Sequence, residues 1–294
     1  MSARPPDFSV IVPTYDRAEF LAEALASLQE QTFGDFECIV VDDVSPRPAA
    51  VPSDPRFRLL RRTTNGGCAA ARNSGLSVAS GRFVTFLDDD DLYTPDRLAS
   101  AREALEDAPV VVCWRSGAKG LPHRERPLEG NVADTILDRM TPSLGQVAVG
   151  RSLAPPFDEQ LPALEDVDWL LRLARRAPFA TVPKLGYVVR QHSGPRVRHG
   201  RAARLSASRQ LLESHAEYFA RHPAAAAFRW KRIGLLEERL GSTGDARHAF
   251  WRSLRLHPEA ATLWHLVRLL PVLRRDGVTL PPSTSPTSQE QREQ

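Results

Sequence analysis

The most constraining feature of this sequence is a short apolar run that stops abruptly at four carboxylates. Residues 83–87 (FVTFL) are almost wholly apolar and rich in β-formers, and residues 88–91 (DDDD) follow directly. Such a run predicts a strand buried on both faces of a sheet. Because buried charges are costly unless paired or metal-bound, we expect the acidic cluster at the carboxyl end of the strand, in a cleft.

The acidic cluster allows two interpretations. Closely spaced carboxylate oxygens suit Mn²⁺ or Mg²⁺, usually shared with the phosphates of a substrate. The alternative is a solvated acidic turn, in which Asp91 or Thr94 caps the helix that follows. The run by itself does not decide between them.

Composition places the chain among soluble globular proteins. Its 294 residues can bury a sizeable core, as one large domain or as one domain plus an appendage. The apolar and charged fractions, 42% and 26%, are ordinary for that class. Three cysteines, Cys38, Cys68 and Cys113, lack metal-site or redox spacing, which is typical of a reducing compartment.

Targeting signals and net charge narrow the compartment and the partners. The sequence has neither an apolar run near the roughly 18 residues of a membrane span nor a signal-peptide pattern. We therefore expect a cytoplasmic protein, and peripheral attachment to the inner face of the membrane stays open. A sequence pI near 9.0 suggests the hypothesis of nucleic-acid binding. Four clustered carboxylates argue against it, because they would repel phosphate unless metal-bound. We expect no nucleic-acid partner.

Apolar runs alternate with helical patterns along the first part of the chain. We expect strands at residues 8–12, 36–41, 57–60, 83–87, 110–114 and 146–150. Helical spacing over 17–31, and from about 67 to 79, separates the first of these strands. The alternation predicts an α/β fold with a mostly parallel sheet flanked by helices.

Three of the expected strands run into polar loops. These loops are residues 13–16, 42–43 and 88–91. In sheets of this kind, ligands sit beyond the carboxyl ends of the strands. The three loops therefore predict one polar cleft at a single edge of the sheet.

Four polar motifs occur in order beside the expected strands. They are residues 10–17 (VIVPTYDR), 40–43 (VVDD), 65–75 (NGGCAAARNSG) and 87–91 (LDDDD). Their order and gaps resemble the successive signatures of family 2 glycosyltransferases of the GT-A fold, and the resemblance continues through Glu165-Asp166 to about Ser193. It implies a GT-A Rossmann-like catalytic domain over 1–198, with a nucleotide-sugar half at about 1–114 and an acceptor half at about 115–198.

The first two motifs resemble a binding site for the base of a nucleotide-sugar. The resemblance places Pro13, Thr14 and Tyr15 against the donor, where the flat Tyr15 ring can stack on a base. Asp43 resembles the family's base-reading carboxylate, which needs a ring N–H because an ionised carboxylate only accepts hydrogen bonds. Uracil, thymine and guanine offer that N–H and cytosine does not, so a UDP-linked donor is expected. The alternatives are a core aromatic at Tyr15 and a helix or turn cap at Asp42 or Asp43.

The third motif supplies a tight turn and a cation. Asn65 and Gly67 let the backbone turn closely around a ligand, and Arg72 follows in the next helix. By resemblance all three contact the donor, and Arg72 faces the nucleotide or diphosphate, where a guanidinium fork fits phosphate oxygens. Glycine-rich turns are common, so this motif gains its meaning from its place between strands.

The family's Asp-x-Asp pattern matches Asp88 and Asp90 in the acidic run. By resemblance Asp90 is the direct ligand of Mn²⁺ or Mg²⁺, and Asp88 makes a ribose or water-mediated contact beside it. Asp89 occupies the variable middle position at the donor, and Asp91 is expected to be structural. His192 lies in a segment that resembles the end of the family's catalytic domain, where it could complete the metal sphere or contact the diphosphate.

An acidic pair, Glu165-Asp166, precedes an amphipathic helix, and by resemblance Asp166 is the catalytic base. The implied reaction is a single displacement in which Asp166 takes the proton of an acceptor hydroxyl. That hydroxyl attacks the anomeric carbon opposite the departing nucleoside diphosphate, which inverts the configuration. The alternative is acidic charge that stabilises a helix dipole, and it fits Glu165, Asp166 and Asp168 equally well. Trp169 can face the acceptor or lie in the core.

Beyond about residue 199 the sequence predicts helices only. Residues 199–275 form the expected all-α appendage, in which 227–260 resemble one tetratricopeptide hairpin with Glu237 in place of the usual tyrosine. One such repeat cannot bury its own apolar face, so it must pack on neighbouring elements or on a protein partner. Residues 276–294, rich in polar residues and proline, are expected to be disordered.

These features predict a metal-dependent inverting glycosyltransferase. It would move a sugar from a nucleoside diphosphate, with UDP expected, to a hydroxyl of a glycan or lipid-linked glycan, as in surface polysaccharide synthesis. The second hypothesis is a non-catalytic nucleotide-binding or scaffold protein that acts through its helical appendage. Nucleotide binding that requires both Mn²⁺ and Asp90 would support the enzyme against a scaffold.

Overall fold

The computed structural model describes residues 4–116, 122–123, 127–137, 141–190 and 200–270. The chain divides into two units, Met1–Arg196 and Val197–Gln294, and each is described by itself. The expected disordered tail, 276–294, lies outside the described residues, as do the last residues of the expected appendage, 271–275.

The first unit is built on one sheet of nine described strands. They are β1 (Phe8–Thr14), β2 (Phe36–Asp42), β3 (Phe57–Arg61), β4 (Phe83–Phe86), β5 (Leu92–Tyr93), β6 (Val110–Ser116), β7 (Pro122–His123), β8 (Val147–Gly150) and β9 (Phe179–Val188). Their order is β3-β2-β1-β4-β8-β6-β9-β5, and β7 pairs with β6. The strands β3-β2-β1-β4 are all parallel, whereas β8 runs antiparallel to both of its neighbours. The predicted Rossmann-like α/β sheet is confirmed, and its second half is mixed.

Four helices in the described part of this unit flank the sheet. They are α1 (Ala18–Gln29), α2 (Gly67–Val78), α3 (Arg97–Ala104) and α4 (Glu165–Ala174), and a short 3-10 helix spans Leu144–Gln146. The whole of β1 is buried, and alternate residues of the strand share a core cluster with α1. They are Phe8, Val10 and Val12 of β1 and Leu21, Leu25 and Leu28 of α1. Burial on both faces explains why β1 reads as a continuous apolar run in the sequence.

The carboxyl ends of β1, β2 and β4 lie at one edge of the sheet. Thr14, the last residue of β1, pairs with Asp42, the last residue of β2. On the other side of β1, Ile11 pairs with Phe86 at the end of β4, and the Leu87 amide donates to the Ile11 carbonyl at 3.1 Å. The polar loops that follow these three strands are therefore neighbours, as the sequence predicts.

Three described strands, β5, β7 and β9, could not be predicted from apolar periodicity. β9 contains Pro183 and Lys184, which interrupt its apolar pattern, yet it pairs in parallel with β6 across register irregularities near Trp114. The two residues of β5 follow the acidic run directly and pair with β9. Strands this short or this irregular leave no clear period in the sequence.

The second unit is helical throughout its described part. Its helices are α5 (Arg201–Ser214), α6 (Ala216–Arg221), α7 (Pro223–Arg239), α8 (Thr243–Leu256) and α9 (Ala260–Arg268). Small residues bring α7 and α8 together: a Cβ added at Gly234 would lie 2.6 Å from Phe250 Cε1, and the Ser253 hydroxyl donates to the Ala227 carbonyl at 2.8 Å. α7 and α8 span Pro223–Leu256, whereas the hairpin is expected at about 227–260, and its tetratricopeptide class stays a prediction.

Gly75 sets how closely α2 approaches the sheet. A Cβ at this position would lie 2.5 Å from Ile11 Cγ2 and 3.3 Å from Val41 Cγ2. We predict that Gly75→Ala lowers the free energy of unfolding by about 1–3 kcal/mol, because the added methyl forces α2 away from β1. Urea unfolding measures the change. Gly34→Ala is the matched control, since a Cβ there meets nothing within 4 Å, and equal stability of the two variants would contradict the packing argument.

Candidate active site

The loop after β1 brings a hydroxyl and an aromatic ring to the edge of the sheet. Pro13 and Thr14 are buried at the end of the strand, and Thr14 Oγ1 donates to Asp89 Oδ2 at 2.8 Å. Tyr15 is 44% exposed, so its ring is not the core aromatic of the alternative interpretation. An exposed ring can stack on a base. Whether Tyr15 does so stays a prediction.

Asp43 holds the glycine turn that follows β3. Its buried carboxylate accepts hydrogen bonds from the amides of Gly66 (3.1 Å to Oδ1) and Gly67 (2.7 Å to Oδ2), and it forms an ion pair with Arg62. The Asn65 side chain donates to the Asp43 carbonyl at 2.8 Å. The second and third motifs are thus joined through Asp43. Its contact with a base stays a prediction.

Asp42 is the structural member of the acidic pair after β2. Its two carboxylate oxygens accept hydrogen bonds from the amides of Ser45 (2.8 Å) and Ala49 (3.1 Å). These bonds close a loop in which Val44 has a φ of 69°, a left-handed conformation that β-branched residues rarely adopt. The turn-cap interpretation therefore describes Asp42.

The four aspartates after β4 alternate between partly exposed and buried positions. Asp89 and Asp91 are buried, whereas the side chains of Asp88 and Asp90 are 35% and 18% exposed. Burial raises the pKa of Asp89 to about 6. Burial, together with the charge of Asp88, raises the pKa of Asp91 to about 7, and the Tyr187 hydroxyl donates to this carboxylate. The two carboxylates of the Asp-x-Asp pattern are therefore the two that reach solvent.

Two arginines, to which the sequence analysis gave no role, fix the acidic run in place. Arg17 Nη1 lies between Asp89 Oδ1 (2.9 Å) and Asp90 Oδ2 (3.0 Å). Arg190 donates from its backbone amide to Asp91 Oδ1 (2.9 Å) and from Nε to the Asp90 carbonyl (2.8 Å). Arg17 belongs to the first motif, so its position carried a signal, whereas Arg190 lies a hundred residues from Asp90.

The two outward-facing carboxylates fit a hard divalent cation. Asp88 and Asp90 offer oxygen donors, which Mg²⁺ and Mn²⁺ prefer. Among the described residues, no three His, Cys, Asp or Glu side chains converge on a complete metal site. A carboxylate pair of this kind suits a cation that takes its other ligands from a diphosphate or from water. His192, the further predicted ligand, lies outside the described residues.

Arg72 connects the acidic run to the helix that carries the expected base. It is buried in α2, and its Nη2 and Nη1 lie 2.9 Å from Asp88 Oδ1 and 2.9 Å from Glu165 Oε1 respectively. Its guanidinium carbon also lies 5.5 Å from the centre of the Phe157 ring. No local sequence pattern indicates this bridge, because Glu165 stands 93 residues away along the chain. Contact between Arg72 and a nucleotide stays a prediction.

Asp166 lies beside this bridge, in the first turn of α4. Its carboxylate is half-buried and accepts a hydrogen bond from the Val167 amide at 2.8 Å. Burial raises the pKa of Asp166 to about 6, and the neighbouring charge of Glu165 adds to the rise. A carboxylate with this pKa is ionised at neutral pH and is better matched to proton transfer than an ordinary aspartate.

The other candidates at the start of α4 are held by the fold. Asp168 pairs with Arg172 one helical turn later, at 2.6 Å. Trp169 is fully buried and stacks on Phe157 with the ring centres 5.3 Å apart, so it lies in the core and does not face an acceptor. Since Glu165 is bound by Arg72, the geometry favours Asp166 among the three acidic residues.

Comparisons with known proteins agree with this architecture. Residues 9–152 match the sequence profile of glycosyl transferase family 2. An uncharacterized glycosyltransferase of Haemophilus influenzae is 30% identical over 185 residues, which are 58% of this chain and 63% of the relative. The succinoglycan biosynthesis protein ExoW of Rhizobium meliloti is 38% identical over 117 residues, 37% of each chain. The chain thus spans less than two thirds of the length of these relatives.

Two solved structures share the fold. Staphylococcus aureus TarS (residues 1–349), in complex with UDP-GlcNAc, has a TM-score of 0.64 at 22% identity, over 91% of each chain. The mannosyltransferase PcManGT from Pyrobaculum calidifontis, in complex with GDP-Man and Mn²⁺, has a TM-score of 0.56 at 21% identity, over 92% of this chain and 83% of the other. With its ordered motifs and its parallel core sheet, the chain has a GT-A-like fold, and its segment 9–152 matches the sequence profile of glycosyl transferase family 2.

Proposed function

We propose that the protein is a metal-dependent inverting glycosyltransferase that uses a nucleoside-diphosphate sugar. One observation carries the proposal: Arg72 joins the acidic run, at Asp88, to the helix of Asp166, through Glu165. An outward-facing carboxylate pair for a metal and a half-buried carboxylate for a proton thereby belong to one connected site. The family of residues 9–152 supports the same reaction class.

In this mechanism Asp166 removes the proton from an acceptor hydroxyl as that oxygen attacks the anomeric carbon. Asp90 and Asp88 would hold the cation, which when bound would neutralise the charge that grows on the leaving diphosphate. The raised pKa of Asp166 suits a base that must accept a proton near neutral pH. The hydroxyl attacks opposite the leaving group, so the anomeric configuration inverts in a single step.

Asp43 and Tyr15 are the residues that would select the nucleotide. The exposed ring of Tyr15 can stack on any base, so it does not discriminate. The carboxylate of Asp43 would accept a ring N–H of uracil, and UDP is therefore the preferred carrier. TarS, which shares the fold, has been solved with UDP-GlcNAc bound, which supports this choice.

The acceptor is proposed to be a hydroxyl of a glycan or lipid-linked glycan in surface polysaccharide synthesis. The support is the relative named for succinoglycan biosynthesis. A second candidate function is a non-catalytic nucleotide-binding or scaffold protein that recruits a protein partner through its helices. It is favoured by the exposure of two large apolar residues of α9, Leu263 and Trp264.

Peripheral attachment to an anionic membrane is proposed for the helical unit. No helix in the described ranges is both long enough and apolar enough to cross a bilayer. From residue 248 to its end, α8 instead exposes basic and aromatic residues, which are His248, Trp251, Arg252, Arg255 and Leu256, whereas Gly244 and Asp245 are the exposed positions of its first turn. The Arg255 guanidinium lies 4.7 Å from the Trp251 ring centre. Tryptophan beside arginine suits the boundary between anionic headgroups and acyl chains.

Substitution of the two key carboxylates tests the reaction. We predict that Asp166→Asn lowers kcat by about 100- to 10,000-fold with unchanged UDP affinity, because it removes only the base. Asp90→Ala should also abolish transfer, through loss of Mn²⁺-dependent UDP binding. Hydrolysis and transfer from a panel of nucleotide-sugars, with calorimetry of UDP and Mn²⁺, measure both effects. The exposed Asp107→Asn is the control, and full activity in both test variants would refute the site.

Competition between nucleoside diphosphates tests the role of Asp43. We predict that UDP binds best, followed by dTDP and GDP, and that CDP binds at least about tenfold more weakly. Cytosine presents a bare N3 acceptor, so the carboxylate would lose a charge-assisted hydrogen bond. Displacement of UDP at equal Mn²⁺ measures the order. Equal affinity for CDP and UDP would remove Asp43 from base recognition.

Vesicle binding tests the α8 surface. We predict that the protein sediments with anionic vesicles and not with zwitterionic ones. Arg255→Glu should weaken this binding about tenfold or more, since each basic residue near an anionic surface contributes about 1 kcal/mol. Arg221→Glu, an equal charge reversal at an exposed position of α6, is the control. Equal sedimentation with both kinds of vesicle would contradict attachment through charge.

A further inference from the structure

Glu165 is a buried carboxylate for which the proposed reaction has no direct use. It is 8% exposed, and a buried carboxylate is costly unless paired. Its partner, Arg72, is 5% exposed and reaches across to Asp88 with its other terminal nitrogen. A helix dipole alone would be served by an exposed acidic residue at the same position. The helix dipole therefore does not explain why Glu165 is buried and paired with Arg72.

The Arg72 bridge links three elements that are far apart in the sequence. Arg72 comes from α2, Asp88 from the end of β4 and Glu165 from the first residue of α4. Leu164, just before α4, has a φ of 63°, so the helix begins with a sharp and strained change of direction. An anchor on the first residue of the helix fixes where the next residue, Asp166, projects.

We propose that Glu165 and Arg72 are positioning residues that set the place and the charge state of Asp166 relative to the acidic run. The proposal rests on the proposed function, in which Asp166 is the base. Glu165 holds the first turn of α4 through Arg72, and Arg72 ties that turn to Asp88 on the donor side. A displacement of Asp88 would therefore change the position of Asp166 through the ion pairs Asp88–Arg72 and Arg72–Glu165.

The charges around Asp166 give this arrangement a distinctive signature. Burial is the largest cause of the raised pKa of Asp166. The charges of Glu165 and Asp88 raise this pKa as well, and the charge of Arg72 lowers it. The Val167 amide, which donates to Asp166, also lowers the pKa. Loss of Glu165 and loss of Arg72 should therefore move the pKa of Asp166 in opposite directions, although both break the same ion pair. Opposite signs would show that both charges act on Asp166, and the change in kcat tests whether the ion pair also places the base.

The test follows the ionisation of Asp166 directly. The side-chain carboxyl carbon of Asp166 is titrated by NMR in ¹³C-aspartate-labelled full-length protein, without nucleotide, and is assigned with Asp166→Asn. We expect Glu165→Gln to lower the pKa by about one unit and Arg72→Gln to raise it by a similar amount. Asp168→Asn removes a carboxylate of the same helix that pairs with Arg172, and it should leave the pKa of Asp166 in place.

Kinetics give the second readout. In the wild type, activity should fall as the pH drops through about 6, because the base becomes protonated. Glu165→Gln should move this fall to lower pH, keep the affinity for UDP and lower kcat by about tenfold to a hundredfold, as expected for a misplaced base. Arg72→Gln should move the fall in activity to higher pH. Arg72→Lys keeps a positive charge, so its pH profile should lie closer to that of the wild type.

Each outcome decides the proposal. Opposite shifts for Glu165→Gln and Arg72→Gln support it, and shifts of the same sign, or none, overturn it. If Arg72→Gln does not fold, Glu165→Gln decides alone: a lowered pKa supports the proposal and an unchanged pKa overturns it. If the variants show these opposite pKa shifts but the wild type transfers no sugar, the result counts against the proposed function and not against the bridge.

Discussion

The site depends on holding four carboxylates at the end of a buried strand. Charges in such a place are tolerated only when they are paired. Arg17 from before α1, Arg72 from α2 and Arg190 from after β9 reach the acidic run from three directions. The ion pairs and hydrogen bonds that stabilise the buried charges therefore also hold these three elements at one edge of the sheet. The same arginine contacts thus stabilise the acidic run and assemble the site.

Backbone strain is concentrated at the same edge. Asp16 follows β1, Val44 follows β2 and Leu164 precedes α4, and all three non-glycine residues have positive φ angles. Such conformations cost about 1–3 kcal/mol each, so neighbouring contacts must hold them. The Asp16 amide donates to Ser45 Oγ at 2.9 Å, and the Ser45 amide donates to Asp42. Loops fixed in this way can present side chains to a ligand at constant positions.

In the parallel half of the sheet, β1, β2 and β4 were readable from the sequence because they are buried on both faces, whereas the edge strand β3 is largely exposed. Their apolar runs are continuous, and each stops where polar residues must begin, as at Thr14, Asp42 and Asp88. The second half was less readable, since β9 carries Pro183 and Lys184 within its length. Its pairing with β6 depends on neighbours that no local pattern reveals. Periodicity reports burial, and it fails where a strand is only partly buried.

The sequence by itself determined the alternating elements, the three polar loops at one edge and the order of the motifs. Those features depend on local patterns and on the rule that parallel strands end together. Only the tertiary structure decided that Asp88 and Asp90 face outward while Asp89 and Asp91 are buried, and that Arg72 bridges Asp88 and Glu165. Arg72 and Glu165 stand 93 residues apart. Which charges pair across such a separation follows from the packing of α2 and α4, because partners are chosen by distance in space and not by position along the chain.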